Sequence, residues 1–215
     1  MTEPEKYPIS SCQCCGICCR KGGPALHLED TDLLDRGAFP LTALYTLRTG
    51  ELARDDIKGG LVRLSPEIIK IKSMQGADQC VYLDDEKMAC GIYDHRPVEC
   101  RILECWNTGP IQKLYGHNRL TRHELLSKTP WLADLVQAHE DECALERMEK
   151  LITARTAADP AAALDLSEII NYDFHLRQMA AEKGGLPPDI MDFLFGRPLA
   201  DIIPKQFGVK IRKAG

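Results

Sequence analysis

Ser11-Cys-Gln-Cys-Cys-Gly-Ile-Cys-Cys-Arg20 carries five of the chain's ten cysteines, namely Cys12, Cys14, Cys15, Cys18 and Cys19. Cysteines this close are poorly placed to pair as structural disulfides, which need two facing chain segments at a set separation. Thiolates at i, i+3 and i+6 are well placed to converge on one metal ion or one metal–sulfur cluster. A second group follows some sixty residues later, as Cys80-x9-Cys90-x9-Cys100-x4-Cys105. Each group offers four sulfurs, the first through Cys12, Cys15, Cys18 and Cys19. Four is the number taken by a tetrahedral zinc site or a cubane cluster. Neighbouring side chains in extended backbone point apart, so Cys18 and Cys19 either serve different partners or bridge two metals. The two groups are therefore expected to interleave, with two or three sulfurs from the N-terminal loop and the rest from the second group. Cys14 and Cys143 fall outside the pattern. Cys14 reads as a spare or redox-active thiol, and Cys143, among charges on an expected helix, as a semi-buried packing residue.

The rest of the chain is long enough not to need disulfide staples. Its 215 residues are 44% hydrophobic and 27% charged, the balance of a soluble globular protein. The N-terminus is polar and lacks the apolar core of a secretory signal, and no stretch approaches the length of a membrane span. A cytoplasmic, reducing location is expected, where clustered cysteines serve as ligands or redox groups. The net charge of −5 and the 6% aromatic content argue against nucleic acid as a partner. Glycine-rich phosphate loops, nucleophile elbows and dinucleotide fingerprints are missing from the sequence, so no catalytic residue is nominated.

Local patterning predicts an α+β chain. Residues 1–11 read as a flexible lead, 12–120 as a small metal-held, cysteine-rich part with short strands, and 121–215 as a helical C-terminal part. A helix is expected over His27–Leu34, closed near Gly37, and another over Pro40–Ala53, where leucines fall close to helical spacing. Val62, Leu64, Ile69 and Ile71 read as two short strands broken at Ser65-Pro66. Val81–Leu83 and Met88–Tyr93 read as a hairpin about Asp84–Lys87, with Cys80 at one end and Cys90 across from it. Helices are expected over Arg122–Ser127, Trp131–Ala154 and Ala161–Lys183, the last two separated at Asp159-Pro160, and a short amphipathic segment over Leu186–Phe195.

The two cysteine motifs, taken together, resemble a known family. Cys12–Cys19 is similar to its first motif. Cys80-Val-Tyr-Leu83 and Cys90-Gly-Ile-Tyr-Asp-His-Arg-Pro-Val-Glu-Cys-Arg101 are similar to its second. This is the CxxCxxCC, or YkgJ-like, family of zinc- or iron-chelating domains, whose pattern spans residues 12–105. The resemblance implies metal or iron–sulfur binding by Cys12, Cys15, Cys18, Cys19, Cys80, Cys90, Cys100 and Cys105. It implies no settled activity, although flagellin lysine N-methylases carry a similar domain. The extra Cys14 and the helical C-terminal part lie outside the pattern.

Thiolate ligands suit zinc and iron–sulfur alike, and the CxxCxxC run tips the reading slightly towards iron–sulfur. The function expected is metal binding in electron transfer or metal handling. A redox enzyme or protein-methylase relative, and a zinc-stabilised domain whose helical part docks a protein partner, are the alternatives. Arg96 and Arg101 beside Cys100 either contact the cofactor or make structural ion pairs. His95 and His117 are near enough in sequence to replace a sulfur. Glu99 and Glu104 read as solvated acids.

Overall fold

The structure is a computed structural model that describes residues 12–55, 57, 59–156 and 160–209. The expected N-terminal lead and Asp159 lie outside the described residues. In chain order the elements are α1 (Thr31–Asp35), β1 (Leu44–Leu47), β2 (Leu52–Arg54), β3 (Leu61–Arg63), β4 (Ile68–Ile71), β5 (Leu83–Asp84) and β6 (Ala89–Cys90). They continue as α2 (Val98–Ile102), α3 (Gly109–Leu114), α4 (Arg122–Leu126), α5 (Pro130–Glu142), α6 (Leu145–Thr156), α7 (Pro160–Glu182), α8 (Met191–Phe195) and α9 (Leu199–Phe207). Short strands precede the helices, so the chain is α+β, as its patterning predicts. No described helix is long and apolar enough to cross a membrane.

The chain divides into two compact units, one built from residues 1–39 and 71–119 and the other from 40–70 and 120–215. The first unit holds nine of the ten cysteines. Its regular structure is sparse. A 3-10 turn at Cys19–Lys21, a second at Leu28–Asp30 running into α1, the β5–β6 hairpin and the short helices α2 and α3 make up most of it. In the hairpin Leu83 pairs with Cys90 and Asp84 with Ala89. The Asp84 carboxylate accepts the amides of Glu86 and Lys87, each at 3.0 Å, and so closes the turn.

The second unit has a conventional apolar core. Leu145, Met148 and Ile152 of α6 pack with Leu166 and Ile169 of α7 and with Leu199, Ile202 and Ile203 of α9. These positions recur at three- and four-residue spacing, so each helix turns one apolar face inward. Arg48 is entirely buried beneath α5, where the Glu140 carboxylate takes its Nε at 2.8 Å and its Nη2 at 2.6 Å. Arg122 bonds the same carboxylate at 2.7 Å and also pairs with Glu67.

Two expected helices are corrected here. Residues 40–53 form a 3-10 turn at Leu41–Ala43 followed by β1 and the start of β2. β1 pairs with β4, and Thr46 donates its hydroxyl to the Phe193 carbonyl at 2.7 Å. Tertiary pairing thus overrides leucine spacing that suits either structure. The single helix expected over Trp131–Ala154 is two, because α5 ends at Cys143, whose amide closes on His139 O at 2.8 Å. Helices α2, α3 and α9 were not expected. Cys143 is fully buried in the core cluster rather than partly exposed.

Candidate metal centre

The cysteine loop is tied down before any metal is considered. Gly16 has φ +70, a left-handed conformation open to glycine, and its carbonyl accepts the Arg20 amide at 3.0 Å. That turn folds the loop back over the hairpin. Arg20 reaches the hairpin turn, bonding Asp85 at 2.6 Å and Met88 Sδ at 3.4 Å, and Gln79 holds the other Asp85 oxygen at 2.7 Å. Further along, Gly23 lies so close to Ile71 that an added Cβ would stand 2.2 Å from the Ile71 carbonyl oxygen. The Ile71 amide bonds Pro24 O at 3.0 Å, and the Cys80 amide bonds Cys19 O at 2.8 Å. Backbone hydrogen bonding, made possible by a glycine, therefore brings Cys19 against Cys80.

Cys90 enters from β6 and Cys100 from α2. Helix α2 is anchored by its own first turn. The Val98 amide donates to Asp30 at 2.7 Å, and Glu99 accepts the Ala25 amide at 2.7 Å. Glu99 also meets His27 Nε2 at 3.0 Å and Arg119 at 3.4 Å. His27 is fully buried, and its Nδ1 donates to His117 O at 2.8 Å. The expectation that Glu99 is a solvated acid is therefore overturned, since its carboxylate is only 14% exposed and binds three partners. Burial pushes that carboxyl up, but the His27 hydrogen bond and Arg119 outweigh it and leave the pKa lowered. His27, Glu99 and Asp30 escape a reading by motif because they hold the ligand-bearing segments rather than belonging to the cysteine pattern.

The sulfurs fall into two sets. Cys18 and Cys19 stand with Sγ atoms 4.0 Å apart. Cys19 lies in the field of Cys18, Cys80 and Cys90, and Cys100 in that of Cys80, Cys19 and Cys90. This inner set draws on four chain segments. Burial, reinforced by the neighbouring thiols, pushes Cys19 up to about 12 and raises Cys80 and Cys100 as well. The outer set is Cys12, Cys14 and Cys15, all exposed, with Arg96 acting on Cys14. Cys105 is exposed beside the Glu104–Asn107 bridge and is not among the groups acting on the inner thiols.

Arg96 stacks over the Tyr93 ring at 3.5 Å and donates Nε to Tyr93 O at 2.7 Å. Arg101 is half exposed and lies 4.0 Å from Asp30. His117 takes part through its backbone, its carbonyl accepting His27 Nδ1 at 2.8 Å.

Among the described residues, no three histidine, cysteine, aspartate or glutamate side chains already stand at metal-holding distances. The donor chemistry of the inner set nonetheless fits a soft or borderline cation. Its members are all thiols, crowded together and partly desolvated, and their ionisation is opposed by one another. A bound cation reverses that opposition by stabilising the thiolates.

A family model described as "Putative zinc- or iron-chelating domain" matches residues 11–118. The chain belongs to the CxxCxxCC family. The match spans half of the chain, and all but three of its 108 residues fall within the structurally described part. The family description supports metal binding of the zinc or iron kind. No curated protein and no solved structure matches the chain.

Proposed function

We propose that this CxxCxxCC protein holds an all-thiolate zinc or iron centre on Cys19, Cys80, Cys90 and Cys100, with Cys18 beside it as a fifth sulfur. One observation carries the reading: thiols from four separate chain segments act on one another in one partly buried place, with the Glu99 carboxylate acting on Cys100 beside them. Four thiolates satisfy a closed zinc site and a four-iron cluster equally. We favour iron–sulfur, because the CxxCxxC run resembles the cluster-binding run of bacterial ferredoxins. The protein then acts in electron transfer or metal handling in a reducing, cytoplasmic setting. When bound, the centre supplies a redox couple if it is iron–sulfur and a structural cross-link if it is zinc. The protein residues fix where it sits. Arg20 and Asp85 hold the loop to the hairpin, and Asp30, His27 and Glu99 hold α2. The reading leaves Cys12, Cys15 and Cys105 without a role in this centre, and gives Arg96 and Arg101 a charge-balancing role around it.

The deciding experiment is purification without oxygen, a visible spectrum, and counts of iron, zinc and acid-labile sulfide. Broad absorption near ~400 nm with sulfide is the expected result. Colourless protein with stoichiometric zinc would sink the electron-transfer reading. Protein that carries no metal and keeps its stability under chelation would sink the metal reading as a whole.

A further inference from the structure

Away from the thiol-rich unit, the second unit buries an imidazole that is held on one side only. His139, near the end of α5, is wholly buried. Its Nε2 meets Asp173 Oδ1 of α7 at 2.8 Å. Arg177 Nε donates to that oxygen at 2.9 Å, and the Leu199 amide donates to Oδ2 at 3.0 Å. Asp173 is thus an acceptor on both oxygens, which assigns the ring proton of His139 to Nε2 and a bare lone pair to Nδ1. His139 Nδ1 has no hydrogen-bond partner among the described residues, and neither has Arg48 Nη1. Arg48 reaches the same turn of α5: its Nη2 donates to Cys143 O at 2.8 Å, and the Cys143 amide closes on His139 O. On the α8 side the Phe195 ring lies 4.9 Å from the imidazole between centroids, an apolar neighbour. The remaining carboxylate by the ring, Glu140, is engaged by Arg48 and Arg122. Cys143, one turn further along α5, is a fully buried thiol.

We propose that His139 is an acid-operated latch: a proton on Nδ1 releases the end of α5 from α7 and α8 and uncovers Cys143. That proton turns the imidazole into a buried cation in the neighbourhood of the Arg48 guanidinium, with an N–H that meets no acceptor. Asp173 and Glu140 do not relieve it, because each already serves an arginine. Water satisfies the new N–H once the end of α5 moves away. Burial holds the imidazole of the closed form below its ordinary value of 6.5, and Arg48 adds to this against the pull of Asp173. In the open form the ring recovers the ordinary value, so the open form binds more protons. The latch is therefore fully closed above 6.5 and gives way as pH falls below it. Each pH unit in that range raises the open population by up to about tenfold. Glu140 acts lower, since its ordinary value is 4.5.

The test uses the full chain, with Cys143 as the reporter. The protein is treated with a pyridyl disulfide, which labels accessible thiols in mild acid as well as at neutral pH, and the peptide bearing Cys143 is followed by mass spectrometry. Labelling of Cys143 is expected to rise at least about tenfold between about pH 7.5 and about pH 5. His139→Gln keeps a donor for Asp173 and takes no proton, so its labelling is expected to stay flat over the same range. In the wild type, the ring nitrogens of His139 are expected to show protonation by NMR only as Cys143 becomes reactive. Labelling of wild-type Cys143 that ignores pH, an imidazole that protonates while Cys143 stays shielded, or a His139→Gln chain that opens in acid as the wild type does would overturn the proposal. Should His139→Gln expose Cys143 already at neutral pH, the two wild-type measurements decide by themselves. Both are read in the second unit, with metal bound or removed, so their failure is distinct from failure of the metal reading.

Discussion

His27 Nε2 meets Glu99 Oε1 at 3.0 Å, with the histidine side chain wholly buried. Both ring nitrogens of His27 face acceptors, Glu99 on one side and the His117 carbonyl on the other. Glu99 directly precedes Cys100, so this pair holds the segment that brings the α2 sulfur to the inner set. Removing one partner leaves the other buried without its counterpart, which costs about 3–5 kcal/mol in comparable cases. Glu99→Ala is expected to lower the unfolding free energy by an amount in that range and to weaken metal retention. Denaturant unfolding and a competition titration with a chelator measure the two effects.

Metal stoichiometry should separate the cysteines. Cys80→Ser and Cys100→Ser are expected to lose the metal, and Cys105→Ser to retain it. Cys143 is fully buried in the second unit, beneath α6 and α7, so Cys143→Ser is expected to keep the metal but lose about 1–3 kcal/mol of stability by burying a hydroxyl. Elemental analysis of the purified variants, with thermal unfolding, checks the set.

Protons should leave as metal enters. Burial and the adjacent thiols hold Cys19 up at about 12, and raise Cys80 and Cys100, so these thiols carry protons at neutral pH. Each one recruited as a ligand releases its proton, and metal affinity should therefore rise with pH. Calorimetric zinc titration in two buffers of different ionisation enthalpy counts the protons released.

Gly23 has no room for a side chain, because a Cβ would meet the Ile71 carbonyl oxygen at 2.2 Å. Gly23→Ala must push the two strands of backbone apart, at a cost of about 1–3 kcal/mol. The same displacement acts on the Cys80 amide bond to Cys19 O, so metal retention should fall with stability. Gly76 meets nothing within 4 Å of an added Cβ, but its φ of +79 makes it a poor control. Gly116, with nothing within 4 Å and no left-handed conformation recorded, is the better one, and Gly116→Ala should leave both readouts close to wild type.

Acid should loosen the second unit through Glu140. Burial pushes its carboxyl up, but the Arg48 and Arg122 guanidiniums bring it down to about 2. A carboxylate depressed in the folded state contributes stability that is fully present above its ordinary value of 4.5 and is lost as pH falls towards 2. Glu140→Gln should flatten that part of the stability–pH curve and cost about 3–5 kcal/mol at neutral pH, since it leaves Arg48 buried without its counter-charge. Urea unfolding from pH 7 down to pH 2 checks both.

Elements held together by neighbours in sequence were legible. The β5–β6 hairpin is closed by Asp84 and its own turn, α7 begins at Pro160, and α4 is capped by Thr121 and Glu124. The family, too, was legible, because metal ligation needs cysteines at fixed short spacings, and these appear in the chain as written. Residues 40–53 were not legible, since Leu41, Leu44, Tyr45 and Leu47 suit one face of a helix as well as a strand. Pairing of β1 with β4 and the Thr46–Phe193 bond decide between them, and the second joins positions 147 residues apart.

The sequence alone therefore determined that this protein carries thiols suited to a metal, and in which family it stands. Only the tertiary structure decided which thiols become neighbours. Cys19, Cys80, Cys90 and Cys100 lie within one another's electrostatic reach, and the segments that carry them are set by the close approach at Gly23 and by buried His27 and Glu99, contacts that act across spans no local spacing records.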